Sequence, residues 1–258
     1  MAHRPQVIVA LLTPFSTGGA LDSGALRTHV DFLVESGVDG LMPCGTTGEG
    51  PLLEVDEAES VIHAVLDAAA GRVSVVAHVG RPGTQSTVSL AKRALASGAA
   101  GVCAVTPYYY VPTEAGLLEH YRRLIAAAGD SPAYAYVIPG RTQVDLAPDA
   151  VRWLREDGLA GVKDSTKSWD RHLEYLDCGV QVFVGTDGFV VESFRAGSTG
   201  CVSALANVRP DLLCAARDGV DVQAEISALR EHVPFLRLKA ALAEQLPGYP
   251  ASYRAPLA

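Results

Sequence analysis

The strongest constraint in this chain is a regular alternation. Short apolar runs of strand character are each followed by a stretch with helical spacing, and the pattern repeats eight times. The strand-like runs fall at 7–12, 40–44, 73–78, 101–105, 133–137, 161–163, 182–185 and 201–204. Helical patterns follow from about 22–35, 56–70, 84–96, 114–128, 148–156, 169–176, 188–195 and 210–217. Leu26, Val30, Leu33 and Val34 give the first helix one apolar face, and Asp22 is placed to cap it. The strand runs are apolar without strict polar alternation, as expected of parallel strands covered on their outer face. Eight such units in 258 residues predict a single (β/α)8 barrel over 1–220. A doubly wound open sheet is the alternative, but no GxGxxG follows the first strand. From 221 to 258 the pattern becomes helical and then Pro-punctuated, which reads as a short C-terminal helical extension and not a second domain.

A smaller regularity places every second strand independently. Gly37-Val38-Asp39-Gly40, Gly98-Ala99-Ala100-Gly101, Gly158-Leu159-Ala160-Gly161 and Gly197-Ser198-Thr199-Gly200 each separate a helix from a strand. The first glycine suits a left-handed helix C-terminus, and the second allows a tight start to the strand.

Composition narrows the function classes. A net charge of −8 leaves no basic stripe for nucleic acid. No apolar run is long enough to span a membrane, and the start of the chain lacks a signal-peptide pattern, so a cytoplasmic protein is expected. The five cysteines, at 44, 103, 178, 201 and 214, form no CxxC pair. Cys44, Cys103 and Cys201 lie in strand-like runs and read as small buried hydrophobes. The seven histidines show no metal-ligand spacing, so neither a metal nor another cofactor is expected.

Chemistry in such a barrel sits where strands end and the following loops begin. Lys163 ends the sixth strand. Only four of the 21 basic residues are lysines, so a lysine at the mouth of an apolar strand is unusual in this chain. A partly desolvated lysine loses its proton more readily and can then attack a ketone to form a Schiff base. After the second strand, Gly45-Thr46-Thr47-Gly48-Glu49-Gly50 offers two hydroxyls, N–H groups able to hold a carboxylate or phosphate, and glycines that let backbone approach a ligand. Thr106-Pro107-Tyr108-Tyr109-Tyr110 follows the fourth strand, and three adjacent phenols cannot all face a core. Tyr134 and Tyr136 point to one side of the fifth strand, toward the barrel interior or the helices. A tyrosine near a lysine can relay protons, and Arg141 in the next loop is placed to clamp a carboxylate. Gly185-Thr186-Asp187-Gly188 could mark a phosphate site, which would make the barrel a sugar-phosphate isomerase.

Taken in order, Gly45-Thr46-Thr47-Gly48-Glu49, Thr106-Pro107-Tyr108-Tyr109, Tyr136 three residues before Pro139, and Gly161-Val162-Lys163-Asp164 resemble the dihydrodipicolinate synthase and N-acetylneuraminate lyase family, the Schiff-base pyruvate aldolases. The resemblance covers roughly residues 5–245. It implies that Lys163 forms an imine with pyruvate and that Tyr136 shuttles protons. Thr46 and Tyr109 would complete a hydroxyl relay, Tyr109 reaching across a dimer interface. Thr46 and Thr47 would hold the pyruvate carboxylate, and Gly185 and Val202 would line the pocket. A homodimer or homotetramer is implied.

Within that family, Arg141 and Gly200-Cys201-Val202-Ser203 resemble the synthase branch, which condenses pyruvate with aspartate semialdehyde. His78-Val79-Gly80 and Tyr110 resemble the sugar-acid lyase side, which cleaves 2-keto-3-deoxy sugar acids and similar 4-hydroxy-2-keto acids. Val137 stands where asparagine is common. The loop after Gly50 lacks the His and Asn residues of lysine-inhibited synthases, so feedback by lysine is not expected. The synthase reaction is the first expectation and the lyase reaction the second; a catalytically retired barrel serving as a binding protein is the non-enzymatic alternative.

Overall fold

The computed structural model describes residues 4–257. Met1, Ala2 and His3, which the reading of the chain's start included, lie outside the described residues, as does Ala258.

Eight parallel strands close on themselves in chain order: β1 (Gln6–Ala10), β2 (Gly40–Met42), β3 (Ser74–His78), β4 (Gly101–Val105), β5 (Ala133–Val137), β6 (Gly161–Asp164), β7 (Gln181–Val184) and β8 (Gly200–Ser203). β8 pairs back onto β1, with Ile8 opposite Val202, so no edge remains open. The chain is a (β/α)8 barrel, and the open-sheet alternative is excluded.

Local sequence explains the periodic parts. Asp22 caps the helix Ser23–Glu35 by accepting from the Ala25 N–H at 2.9 Å. Gly37, Gly98, Gly158 and Gly197 all take positive φ, between 81° and 105°. Their partners begin strands under tight contact: a Cβ on Gly161 would lie 2.3 Å from the Gln181 carbonyl oxygen, and one on Gly200 2.3 Å from that of Gln6. Two apolar layers result. Val7, Leu41, Val102 and Val162 pack outward against the helices, while Ile8, Val76, Phe183 and Val202 fill the interior. Each fully buried leucine, such as Leu26 or Leu124, contributes about 2 kcal/mol.

Several elements differ from the sequence reading. Four of the eight strands, β1, β2, β7 and β8, stop one or two residues short of the apolar run, because the run continues into the first loop residues. Cys44 is one of these: it is buried, but it sits past β2 with φ 61°. The pattern at 188–195 divides into a 3-10 turn, Asp187–Phe189, and a short helix, Val190–Arg195. In the C-terminal extension a 3-10 turn, Phe235–Arg237, likewise leads into a short helix, Leu238–Ala243. Pro139–Thr142 forms a short helix that its Pro-Gly content disguised as loop. Beyond the helix Gln223–His232 the chain returns to the C-terminal ends of the strands, where Lys239 and Arg254 contact the loop after β2. Among the described residues no helix is long and apolar enough to cross a membrane.

Candidate active site

Alternation along β5 and β6 turns Tyr136 and Lys163 inward, and the sheet register sets them side by side. Lys163 is only 4% exposed, and its Nζ lies 3.8 Å from the centroid of the Tyr136 ring. The Tyr136 hydroxyl is 3.3 Å from Thr46 Oγ1. Amine, phenol and threonine hydroxyl thus form one chain of contacts at the C-terminal mouth of the barrel. The Tyr136 ring also packs edge-on against His78, with ring centroids 5.9 Å apart. Burial first, and the nearby Lys163 and Arg81 cations second, draw the His78 pKa down to about 3. The imidazole is therefore neutral. Its Nδ1 lies 3.0 Å from the Cys44 carbonyl oxygen and its Nε2 accepts from the Val105 N–H at 3.2 Å, which puts the proton on Nδ1.

The loop after β2 holds Thr46 and Thr47 at this mouth, but its glycines act differently from the expectation. A Cβ on Gly48 would lie 2.6 Å from the Leu11 carbonyl oxygen, and one on Gly50 only 1.8 Å from that of Cys44. Those two glycines let the loop fold against its own protein and not against a ligand. Gly45 alone has open space around its missing side chain. Thr13 donates to the Gly48 carbonyl at 2.7 Å and pins the turn.

A cavity of about 380 Å³ opens above Lys163. Thr46, Thr47, Tyr136, Arg141, Gly185 and Val202 all line it, so the structure gathers every expected site residue except Tyr109. Gly185 is required there: a Cβ would lie 2.2 Å from Ser165 Oγ, 3.1 Å from the Asp164 carbonyl oxygen and 3.3 Å from Lys163 Cε. Arg141 reaches the cavity from the short helix Pro139–Thr142, its guanidinium 5.4 Å over the Phe235 ring. Tyr109 is 85% exposed with φ 77° and packs edge-on against Tyr110; among the described residues it makes no hydrogen bond with Thr46 or Tyr136.

Sequence reasoning missed several lining groups. Asp187 is buried in the wall, accepts from Ser203 Oγ at 2.6 Å, and faces Arg230 at 3.9 Å. Burial pushes its carboxyl pKa up, against the Ser203 hydrogen bond and the Arg230 and Lys163 charges. The strand-end rule applied two residues past Gly185 would have found it. A carboxyl in that loop counts against a phosphate there. Arg230 and Phe235 come from the C-terminal region, and no local signal pointed to them. Charge is distinctive: Lys163, Lys167, Arg141 and Arg230 face one carboxylate, Asp187, in a chain of net charge −8. The cavity is locally positive and suits an anionic substrate. Among the described residues no group of three or more His, Cys, Asp or Glu side chains is placed to hold a metal ion.

The family model described as the dihydrodipicolinate synthetase family matches residues 4–234. A 4-hydroxy-tetrahydrodipicolinate synthase of Thiobacillus denitrificans is 40% identical over 210 residues, covering 80% of this chain and 71% of that protein. The crystal structure of dihydrodipicolinate synthase from Aquifex aeolicus superposes with a TM-score of 0.89 at 33% identity, covering 98% of this chain and 92% of that one. YagE, a prophage protein of E. coli K12 belonging to the dihydrodipicolinic acid synthase family and solved in complex with pyruvate, gives a TM-score of 0.88 at 26% identity, with 98% and 92% covered. The chain therefore belongs to the dihydrodipicolinate synthetase family and is an enzyme of the class I Schiff-base lyase type.

Proposed function

We propose that the protein binds pyruvate as an imine on Lys163 and condenses it with aspartate semialdehyde, as a 4-hydroxy-tetrahydrodipicolinate synthase. The observation that carries this reading is the Lys163 amine, buried against Tyr136, whose phenol meets the Thr46 hydroxyl, at the floor of a cation-lined cavity. The pyruvate complex of YagE supports the choice of keto acid.

The chemistry follows from these positions. After giving up a proton, the Lys163 amine adds to C2 of pyruvate, and the carboxylate lies against Thr46 and Thr47. Tyr136 delivers a proton to the former carbonyl oxygen, which leaves as water, and the protonated imine forms. The imine withdraws electrons, so C3 loses a proton to the phenol–hydroxyl relay and becomes an enamine carbon. That carbon bonds to the aldehyde carbon, whose oxygen takes a proton from Tyr136. Water, or the amine of the newly joined chain, then adds to C2 and expels Lys163. Arg141 binds the carboxylate of the incoming aldehyde. Tyr109 belongs to this relay as the contribution of a second copy; its exposure, with that of Tyr110 at 78% and Val111 at 72%, supports an interface there.

Asp187 favours a second reading. A carboxyl in the cavity wall is an acceptor for substrate hydroxyls, as a 4-hydroxy-2-keto acid would present. One comparison separates the two. Arg141→Ala should raise KM for aspartate semialdehyde about tenfold or more, through loss of a charge-assisted hydrogen bond, and leave pyruvate trapping at Lys163 intact. Faster cleavage of a 2-keto-3-deoxy sugar acid than condensation with aspartate semialdehyde would replace the first reading by the second.

A further inference from the structure

Glu49 is 1% exposed and holds a left-handed backbone, φ 57°, which a glutamate keeps only when its surroundings enforce it. It stands two residues past Thr47, and its N–H closes the turn onto the Thr46 carbonyl at 3.2 Å. Both carboxylate oxygens are taken by the far end of the chain. The fully buried Lys239 amine donates to Oε1, and the Arg254 backbone N–H donates to Oε2 at 2.8 Å. Lys239 also donates to the Ser252 carbonyl at 2.9 Å. The Arg254 guanidinium grips Glu57 through two bonds, at 2.7 and 2.9 Å, and donates to the Gly19 carbonyl. Phe15 packs under both cations, 4.6 Å from Lys239 Nζ and 4.2 Å from Arg254 Cζ. Tyr253 donates to the Phe235 carbonyl at 2.7 Å, and Phe235 and Leu257 line an apolar compartment beside Arg141.

A buried ion pair is a poor source of net stability, because desolvation offsets much of the attraction. Burial accordingly draws the Lys239 pKa down, against the hydrogen bond that its amine donates to Glu49. What such a pair supplies well is registry. Here it joins the turn bearing Thr46 and Thr47 to a segment about 200 residues away.

We propose that residues 252–257 are a working part of the active site: the Arg254 guanidinium, fastened to Glu57 and Gly19, holds the segment so that the Arg254 backbone N–H and the Lys239 amine lock the Glu49 turn and so set Thr46 and Thr47 for the keto-acid carboxylate. Both are positioning residues. The inference rests on the pyruvate imine proposed above.

The test is borohydride trapping of pyruvate at Lys163 across a range of pyruvate concentrations. It compares the full chain, a chain ending at Ala251, and the Arg254→Ala and Arg254→Lys variants. The truncated chain and Arg254→Ala should need about tenfold more pyruvate for half-saturation, a misplaced cradle being costly, with Arg254→Lys partly restored. Adduct yield at saturating pyruvate should match the full chain, because Lys163 and Tyr136 are untouched. If the truncated chain does not fold, Arg254→Ala decides alone. A loss of folded protein would lower the yield and leave half-saturation where it was; unchanged half-saturation overturns the inference while leaving the imine reading standing. No adduct in the full chain overturns the imine reading itself, and this inference with it.

Discussion

Around Lys163 the decisive atom is one that residue 185 lacks. The Ser165 hydroxyl could rotate away from a Cβ at that position, but the Asp164 carbonyl and the Lys163 side chain would still crowd it. Gly185→Ala should therefore cost only about 1–2 kcal/mol of stability and yet slow imine formation about tenfold or more by displacing the amine. Urea unfolding and the rate of borohydride trapping read the two effects separately; equal losses in both would show that Gly185 serves packing alone. Lys163, Tyr136, Thr46 and Arg141 were legible in the sequence because each sits at a strand end or in the loop after it. Asp187 obeys the same rule but was hidden by its Gly-rich neighbours, which suggested phosphate. Tyr109 was legible only through resemblance, since nothing in one chain brings its phenol to the relay.

At the scale of elements, β6 is anchored by a network directly behind the lysine. Asp164 accepts from His172 Nδ1 at 2.8 Å and from the Thr166 backbone and hydroxyl at 2.8 and 2.7 Å. His172 Nε2 meets Ser193 and Ser198 at 2.9 and 2.8 Å. Asp164, His172, Ser193 and Ser198 are all buried, so this Ser-His-Asp set holds elements together and touches no substrate. His172→Ala strips a partner from a buried carboxylate and two hydroxyls, and should cost about 3 kcal/mol by urea unfolding. A cost under about 1 kcal/mol would mean that β6 is held by its sheet bonds alone. The network was illegible because Asp164, His172, Ser193 and Ser198 belong to four different segments with no shared spacing. The Gly-x-x-Gly units were legible for the opposite reason: helix end, positive φ and strand start are all local. The Pro139–Thr142 helix fell between the two cases, too short for any periodicity to appear.

For the whole molecule, periodicity was enough to establish the barrel, because eight βα units leave few ways to bury every strand on both faces. It was not enough for the C-terminal segment, whose placement depends on Lys239 and Arg254 finding Glu49 and Glu57 far back in the chain. The buried histidines also act on the whole fold. Burial draws His29 and His78 down from 6.5 to about 3. The unfolded chain binds those protons first, so the stability they confer is full above pH 6.5 and is lost as pH falls toward 3. Between pH 7 and pH 5 the loss should be about 2 kcal/mol for each. Urea midpoints that stay flat over that range would show that these imidazoles are protonated in the fold.

The central claim concerns one nitrogen, and trapping it is the most direct measurement. The protein is incubated with pyruvate, reduced with borohydride, digested and mapped by mass spectrometry. The account expects a single reduced pyruvate adduct on the peptide bearing Lys163, absent from Lys163→Ala. Retention of an adduct in that variant, or its location on Lys92, Lys167 or Lys239, would contradict it.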